Sequence, residues 1–114
     1  MFSIIFNQSI LGRSRLESGD PEKGDVSGLL MIDGDVQGLA EWIIKNGGGQ
    51  DQGVYFLMMD DSYAILSEDK RQIPFVDGTL LCVPDENEMY IEVSGVPDQA
   101  YREFFPNHLK ALQV

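Results

Sequence analysis

Two apolar segments of strand length lie in the middle of the chain and are separated by a short polar interruption. The first covers residues 54–59 and the second residues 63–67, with Asp60, Asp61 and Ser62 between them. Apolar runs on both sides of a polar turn are typical of a β-hairpin. Because the first run is apolar at every position, both sides of its strand should be covered or paired. The pattern therefore predicts a hairpin in the middle of a sheet.

The clearest periodicity is helical and covers residues 35 to 46. Asp35 is a suitable N-cap, and Asn46 with the three glycines after it provides a C-terminal stop. Apolar residues recur between them at intervals of three and four, namely Val36, Leu39, Ala40, Ile43 and Ile44. The spacing predicts a helix whose Leu39, Ile43 and Ile44 pack against the sheet.

Four further strands are expected at residues 2–6, 28–32, 79–83 and 88–93, and the last two should pair through a turn at 84–87. In the last strand, apolar and polar residues alternate. Met89, Ile91 and Val93 should face one side, with Glu88, Tyr90 and Glu92 on the other. This alternation indicates a sheet face that is open to water or to a partner.

Residues 7–25 are rich in glycine and charge, and this composition predicts a long exposed loop with at most a short extended piece around Ile10 and Leu11. A second helix is expected after Val96, with Pro106 either kinking it or starting a new turn. Together these elements predict an α+β fold. The whole chain, residues 1–114, should form a single domain with a mostly antiparallel sheet of about five or six strands and two helices.

No combination of residues in the sequence is typical of a catalytic centre. The single cysteine, Cys82, lies in an apolar strand and should be a buried, inert thiol. The single histidine, His108, is expected to be exposed near the end of the last helix. The Asp33-Gly34-Asp35 sequence lacks the acid that a calcium loop needs twelve positions from its start. We therefore expect no enzyme activity, no catalytic residue, no bound metal and no cofactor.

The charge of the chain restricts its partners. Eight lysines and arginines against nineteen aspartates and glutamates give a net charge of −11. Such a surface repels nucleic acids and anionic membranes and favours a basic protein. The apolar segment at residues 1–6 is too short to act as a secretion signal and lacks a basic flank. No apolar run approaches the ~20 residues of a membrane helix. A cytoplasmic protein is expected.

One family has a similar overall pattern. The strand and turn Gly28-Leu-Leu-Met-Ile-Asp-Gly34 lead to Trp42 within a small, acidic, cysteine-poor α+β chain. This combination resembles the immunity proteins of bacterial polymorphic toxin systems, including those of contact-dependent growth inhibition. The resemblance implies a protein that neutralises a toxin, often a basic nuclease, by covering its active site. It supplies no family-specific residue at any position of this sequence.

The residues give a physical version of the same hypothesis, in which carboxylates enter the cationic cleft of a ribonuclease or another nuclease toxin, one-to-one. If the two central turns emerge at the same edge of the sheet, their acids should converge, with tyrosines as aromatic anchors. The expected partner-binding residues are Asp60, Asp61, Tyr63, Glu68, Asp69, Asp85, Glu86, Glu88 and Tyr90. Two alternatives remain open: a small acidic regulatory or scaffold subunit, and a metal-dependent enzyme that uses carboxylates.

Overall fold

The computed structural model describes residues 1–112, and within them the chain forms nine strands and three helices. The elements are β1 (Phe2–Phe6), β2 (Ser9–Ser14), β3 (Ser18–Asp20), β4 (Asp25–Leu29), α1 (Val36–Lys45), β5 (Gly49–Asp51), β6 (Val54–Met58), β7 (Tyr63–Leu66), β8 (Asp77–Val83), β9 (Glu88–Ser94), α2 (Asp98–Phe104) and α3 (Pro106–Leu112). All strand pairs are antiparallel. The predicted α+β class with a mostly antiparallel sheet is confirmed.

The strands form two sheets, where the sequence predicted one. The large sheet has six strands in the order β3-β4-β9-β8-β6-β5, and the small sheet has the order β2-β1-β7. The predicted hairpin of β8 and β9 is confirmed: the two strands pair along their full length and are joined by a 3-10 turn at Pro84–Glu86. Asn87 closes this turn in the left-handed conformation, with φ 54°, which asparagine tolerates better than most residues.

The hairpin predicted for residues 54–67 is wrong. β6 pairs with β5 and β8 in the large sheet, whereas β7 pairs with β1 in the small sheet. The turn between them is held by Asp60, whose Oδ1 accepts a hydrogen bond from the backbone N–H of Ser62 at 2.8 Å. This turn therefore takes the chain from one sheet to the other instead of folding it back on itself.

The long exposed loop predicted for residues 7–25 is also wrong. This segment contains β2 and β3, and its Ser14 and Leu16 are completely buried. Ser14 Oγ accepts a hydrogen bond from the backbone N–H of Leu16 at 3.1 Å, so the buried hydroxyl has a partner. The strand expected at residues 28–32 lies three residues earlier in the chain, since it starts at Asp25 and ends at Leu29.

Helix α1 forms where its periodicity predicts, with the Asp35 side chain accepting a hydrogen bond from the backbone N–H of Gly38. Leu39 and Ile43 are buried as expected, but Ile44 is 47% exposed and does not pack against the sheet. The helix lies against β6 and β8. The apolar stripe of α1 is therefore one residue narrower than predicted.

The last two helices pack near β3 and β4. Pro106 starts α3 after α2 has ended at Phe104, so the proline begins a new helix. The hydroxyl group of the buried Tyr101 donates a hydrogen bond to the backbone oxygen of Asp25 at 2.9 Å. His108 is half-buried, with its Nδ1 atom 2.9 Å from the Tyr101 hydroxyl. The prediction of an exposed histidine is wrong because the rings of Tyr101 and Phe105 pack against the imidazole, with Phe105 stacked on it at 5.4 Å between ring centroids.

Candidate protein-binding surface

The predicted acidic turns lie at opposite ends of the large sheet. Asp60 and Asp61 follow β6 at the end where Met58 pairs with Thr79, whereas Asp85 and Glu86 come just after the last residue of β8. The four residue steps from Thr79 to the end of β8 correspond to about 13 Å along a strand. The turns therefore do not emerge at one edge of the sheet, and their carboxylates do not form one surface.

Glu68 and Asp69 already have partners within the chain. Glu68 forms an ion pair with the N-terminal ammonium group of Met1. Asp69 accepts hydrogen bonds from the Ser67 hydroxyl group and, at 2.7 Å, from Arg71 Nε. These two neighbours, Ser67 first, lower the pKa of Asp69. Both carboxylates therefore make contacts within the chain, and their side chains are 79% and 58% exposed.

The two tyrosines predicted as anchors have different environments. Tyr63 is only 7% exposed and packs against Phe6 with a distance of 4.8 Å between ring centroids. Its burial raises the pKa of its hydroxyl group. Tyr63 is therefore a core residue that leaves little surface for a partner. Tyr90 is half-buried on the outer side of β9, where its hydroxyl group donates a hydrogen bond to Glu88.

Tyr90 lies on a face of the large sheet where the side chains of the four central strands, β4, β9, β8 and β6, are all at least partly exposed. Alternate residues of these strands point to this side, and we call this set of residues the open face. It consists of Asp25, Ser27, Leu29, Val54, Phe56, Met58, Asp77, Thr79, Leu81, Val83, Glu88, Tyr90, Glu92 and Ser94. The open sheet face that the alternation in β9 predicted is thus present and extends over several strands.

The charges of the large sheet all have the same sign. Its six strands contain no lysine or arginine, and their only charged residues are Asp20, Asp25, Asp51, Asp77, Glu88 and Glu92. Four of these belong to the open face as defined. Asp20 pairs with Asp25, and Asp51 pairs with Val54, so the other two point to the same side. Every charge on the strands of this sheet is a carboxylate on the open face.

An apolar row crosses the same face. Leu29, Tyr90, Leu81 and Phe56 occupy successive paired positions on β4, β9, β8 and β6. At about 4.8 Å between neighbouring strands, these four residues span roughly 14 Å. We call them the apolar row. Leu29 is 45% exposed and Phe56 is 38% exposed, and the adjacent Met58 is 60% exposed.

The ring of Phe56 lies over Gly49 on the edge strand. A Cβ atom added to Gly49 would lie 2.6 Å from the Phe56 ring, so only glycine leaves room for the ring in this position. Beside the apolar row, a shallow depression of about 340 Å³ is lined by side chains that include Asp25, Asp77, Glu92 and Thr79. The open face therefore combines exposed apolar groups with carboxylates and hydroxyl groups.

Metal centres and exposed thiols are absent from residues 1–112. No group of three or more histidine, cysteine, aspartate or glutamate side chains in this range is arranged to hold a metal ion. Cys82 is completely buried, which raises the pKa of its thiol, and its Sγ donates a hydrogen bond to the backbone oxygen of Val36 at 3.3 Å. No helix in the described part of the chain is both long and apolar enough to cross a membrane.

Most of the open face was not predicted as a site. The sequence alone places Leu29, Phe56 and Met58 in ordinary strands, Asp25 at the end of a loop and Asp77 just before a strand. The sequence contains a partial signal for it, since Asp25-Val-Ser27 repeats the alternation of polar and apolar residues in 88–93. The sequence does not show that these two strands are neighbours.

No protein-family model matches the chain, and no curated protein and no solved structure is significantly similar to it.

Proposed function

We propose that this protein binds a basic toxin domain and neutralises it in the cytoplasm, in the manner of an immunity protein. The observation that carries this proposal is the uniform charge of the open face, where six carboxylates and no cation come from the strands of one sheet. A surface of one sign attracts a partner of the opposite sign and increases the rate of encounter.

A nuclease is the class of toxin that fits this surface best. An enzyme that cleaves RNA or DNA needs lysines and arginines to hold phosphate groups, so its substrate-binding side is cationic. A chain with a net charge of −11 and a carboxylate-bearing face is complementary to such a side. Binding in a one-to-one complex would exclude the nucleic acid by occupying that side of the toxin.

The contact surface differs from the one expected from the sequence alone. The turns with Asp60 and Asp61 and with Asp85 and Glu86 lie at opposite ends of the ladder of β6 and β8. One partner surface can cover the open face. To contact both turns, it would have to reach both ends of the ladder of β6 and β8. Of the predicted partner-binding residues, Glu88 and Tyr90 belong to the open face, and we retain these two in the proposed interface.

The test is co-expression with the polypeptide encoded immediately upstream of this chain. We expect that polypeptide to stop growth when expressed alone, and this chain to restore growth and to form a one-to-one complex with it. An upstream product without toxicity, or a toxin whose effect this chain does not change, would overturn the proposed function.

A charge variant and a matched control locate the contact. Lysine substitutions at Asp77 and Glu92, both exposed on the open face, should slow association and weaken its dependence on salt. The control carries lysine at Glu41 and Asp61, two exposed residues outside the open face, and has the same charge change. We expect the control to restore growth as the wild type does, and only the open-face variant to lose protection.

A further inference from the structure

We infer that the apolar row of the open face is the centre of a docking surface. Its occupant is a basic protein whose contact surface has an apolar strip between two groups of lysines or arginines. This inference rests on the proposed function and specifies the partner's side of the complex. Four features carry it: the position of the row, the carboxylates on both sides of it, its exposure, and the uniform sign of the charge.

The carboxylates lie on both sides of the row. On β9, Glu88 is two residues before Tyr90 and Glu92 is two residues after it, so they lie about 7 Å from the row in opposite directions. The depression with Asp25 and Asp77 lies on the Glu92 side. A complementary surface therefore needs cations on both sides of an apolar strip.

The side chains of the apolar row expose enough surface to contribute binding free energy when a partner covers them. Leu29 and Phe56 of the row leave 45% and 38% of their surface in contact with water, and the adjacent Met58 leaves 60%. Removing apolar surface from water is the main favourable term in protein association, and the best anchors are large side chains at the centre of an interface with polar groups around them. The open face has this arrangement, with apolar groups inside and carboxylates outside.

The sign of the charge decides between possible occupants. A second copy of this chain would bring its own carboxylates against those of the open face, and like charges in contact oppose binding. Nucleic acids and anionic lipid surfaces are repelled in the same way. A basic protein with an exposed apolar strip satisfies both parts of the surface.

Two peptide probes separate the apolar contribution from the charge. The first is an amphipathic helical peptide with a stripe of leucines and lysines on both sides of it, and the second is an oligolysine of equal charge. We expect the first to bind at least tenfold more tightly. Its effects on amide chemical shifts should be confined to β4, β6, β8 and β9. Equal affinity for the two peptides would overturn the inference.

A matched pair of variants tests the row itself. Leu29→Ser with Phe56→Ser should reduce the affinity for the amphipathic peptide at least tenfold. The control is Ile44→Ser, because Ile44 is 47% exposed but lies on α1, away from the open face. Near-native chemical shifts of the free variants would show that they fold. An affinity unchanged in the double variant would contradict the inference, as would an equal loss in the control.

The upstream toxin domain distinguishes a failure of this inference from a failure of the proposed function. With a toxin that the wild type neutralises, the double variant should dissociate at least tenfold faster at an almost unchanged association rate. If both rates stay the same, the docking surface is wrong and the proposed function stands. If the wild type ignores the toxin but binds the amphipathic peptide through the row, the function is wrong and the surface stands.

Discussion

The two faces of the large sheet are built from the same strands and have opposite compositions. On the inner face, Val26, Leu80, Ile91 and Val93 are at most 3% exposed. On the open face, the residues next to them in sequence include Ser27, Thr79 and Glu92. The backbone hydrogen bonds are common to both faces, so the contrast arises from what covers each of them. One face of this sheet therefore stabilises the fold, and the other is left in contact with water.

The inner face is covered by several parts of the chain at once. Helix α1 lies against β6 and β8, and its Trp42 meets Phe6 of the small sheet edge-on at 5.3 Å between ring centroids. On β4, a Cβ atom added to Gly28 would meet the Glu17 carboxylate and lie 2.7 Å from Ser14 Oγ, so the end of β2 and the segment after it need a glycine there. Helix and small sheet together therefore occupy one side of the large sheet.

The rate at which a thiol is labelled should differ more between the two faces than any other property tested below. Cys82 is buried on the inner face, and burial raises the pKa of its thiol, so it should react only when the protein opens. A thiol introduced by Thr79→Cys in a Cys82→Ala background should react immediately, since Thr79 belongs to the open face. At ordinary stabilities of 5–15 kcal/mol, we expect a rate ratio of at least ~10³.

The reaction with a chromogenic disulfide reagent, followed in native buffer and in denaturant, measures this ratio. Denaturant should remove the difference. Rates within tenfold of each other in native buffer would mean that the inner face is accessible, and the comparison of the two faces would fail.

Truncating neighbouring leucines gives the next largest effect. Leu80 is completely buried, whereas Leu81, on the other side of the same strand, is only half-buried. Leu80→Ala should lower the free energy of unfolding by ~2–5 kcal/mol, because it leaves a cavity in the core. Leu81→Ala should cost less than about 1 kcal/mol. Urea unfolding of both variants is the measurement, and equal losses would show that the open face is packed as tightly as the inner one.

The parts of the fold predicted from the sequence are those set by local pattern. The alternation in β9 and the turn after β8 involve neighbouring residues, and both were predicted correctly. The error at residues 54–67 has a physical cause, since an Asp60 turn that reverses a hairpin and one that links two sheets have the same composition. Which strand pairs with β6 depends on contacts distant in sequence.

The candidate site was predicted less well than the fold. Acids in turns stand out in a sequence, but Asp60 mainly holds its own turn and Asp69 binds Ser67 and Arg71. Glu92 and Asp77 look ordinary in the sequence and become neighbours of Asp25 only when β4, β9 and β8 pair. The site is a product of strand order, which short-range patterns do not contain.

Helix α1 extends the comparison to an element with one buried and one exposed side. Leu39 is 9% exposed and Ile44 is 47% exposed. Leu39→Ala should cost ~2–5 kcal/mol of unfolding free energy, and towards the lower end because the site is at the edge of the core. Ile44→Ala should change it by about 0.5 kcal/mol or less. Thermal unfolding followed by circular dichroism would detect the difference, and a larger loss for Ile44→Ala would reverse our assignment of the helix faces.

The smallest expected effect concerns the charges of the open face. Asp77 and Glu92 lie among carboxylates on strands without any lysine or arginine, so each is repelled by its neighbours in the folded protein. Asp77→Asn with Glu92→Gln should therefore raise the free energy of unfolding, by up to about 0.5 kcal/mol at low salt. The gain should decrease as salt screens the repulsion, since the Debye length falls from ~30 Å at 0.01 M to ~3 Å at 1 M salt.

Glu103→Gln is the control, because Glu103 forms an ion pair with Arg71 and the loss of this pair should lower the free energy of unfolding slightly. Urea unfolding across a salt series checks both signs, and a loss of stability in the open-face variant would show that its carboxylates support the fold and are not held free for a partner.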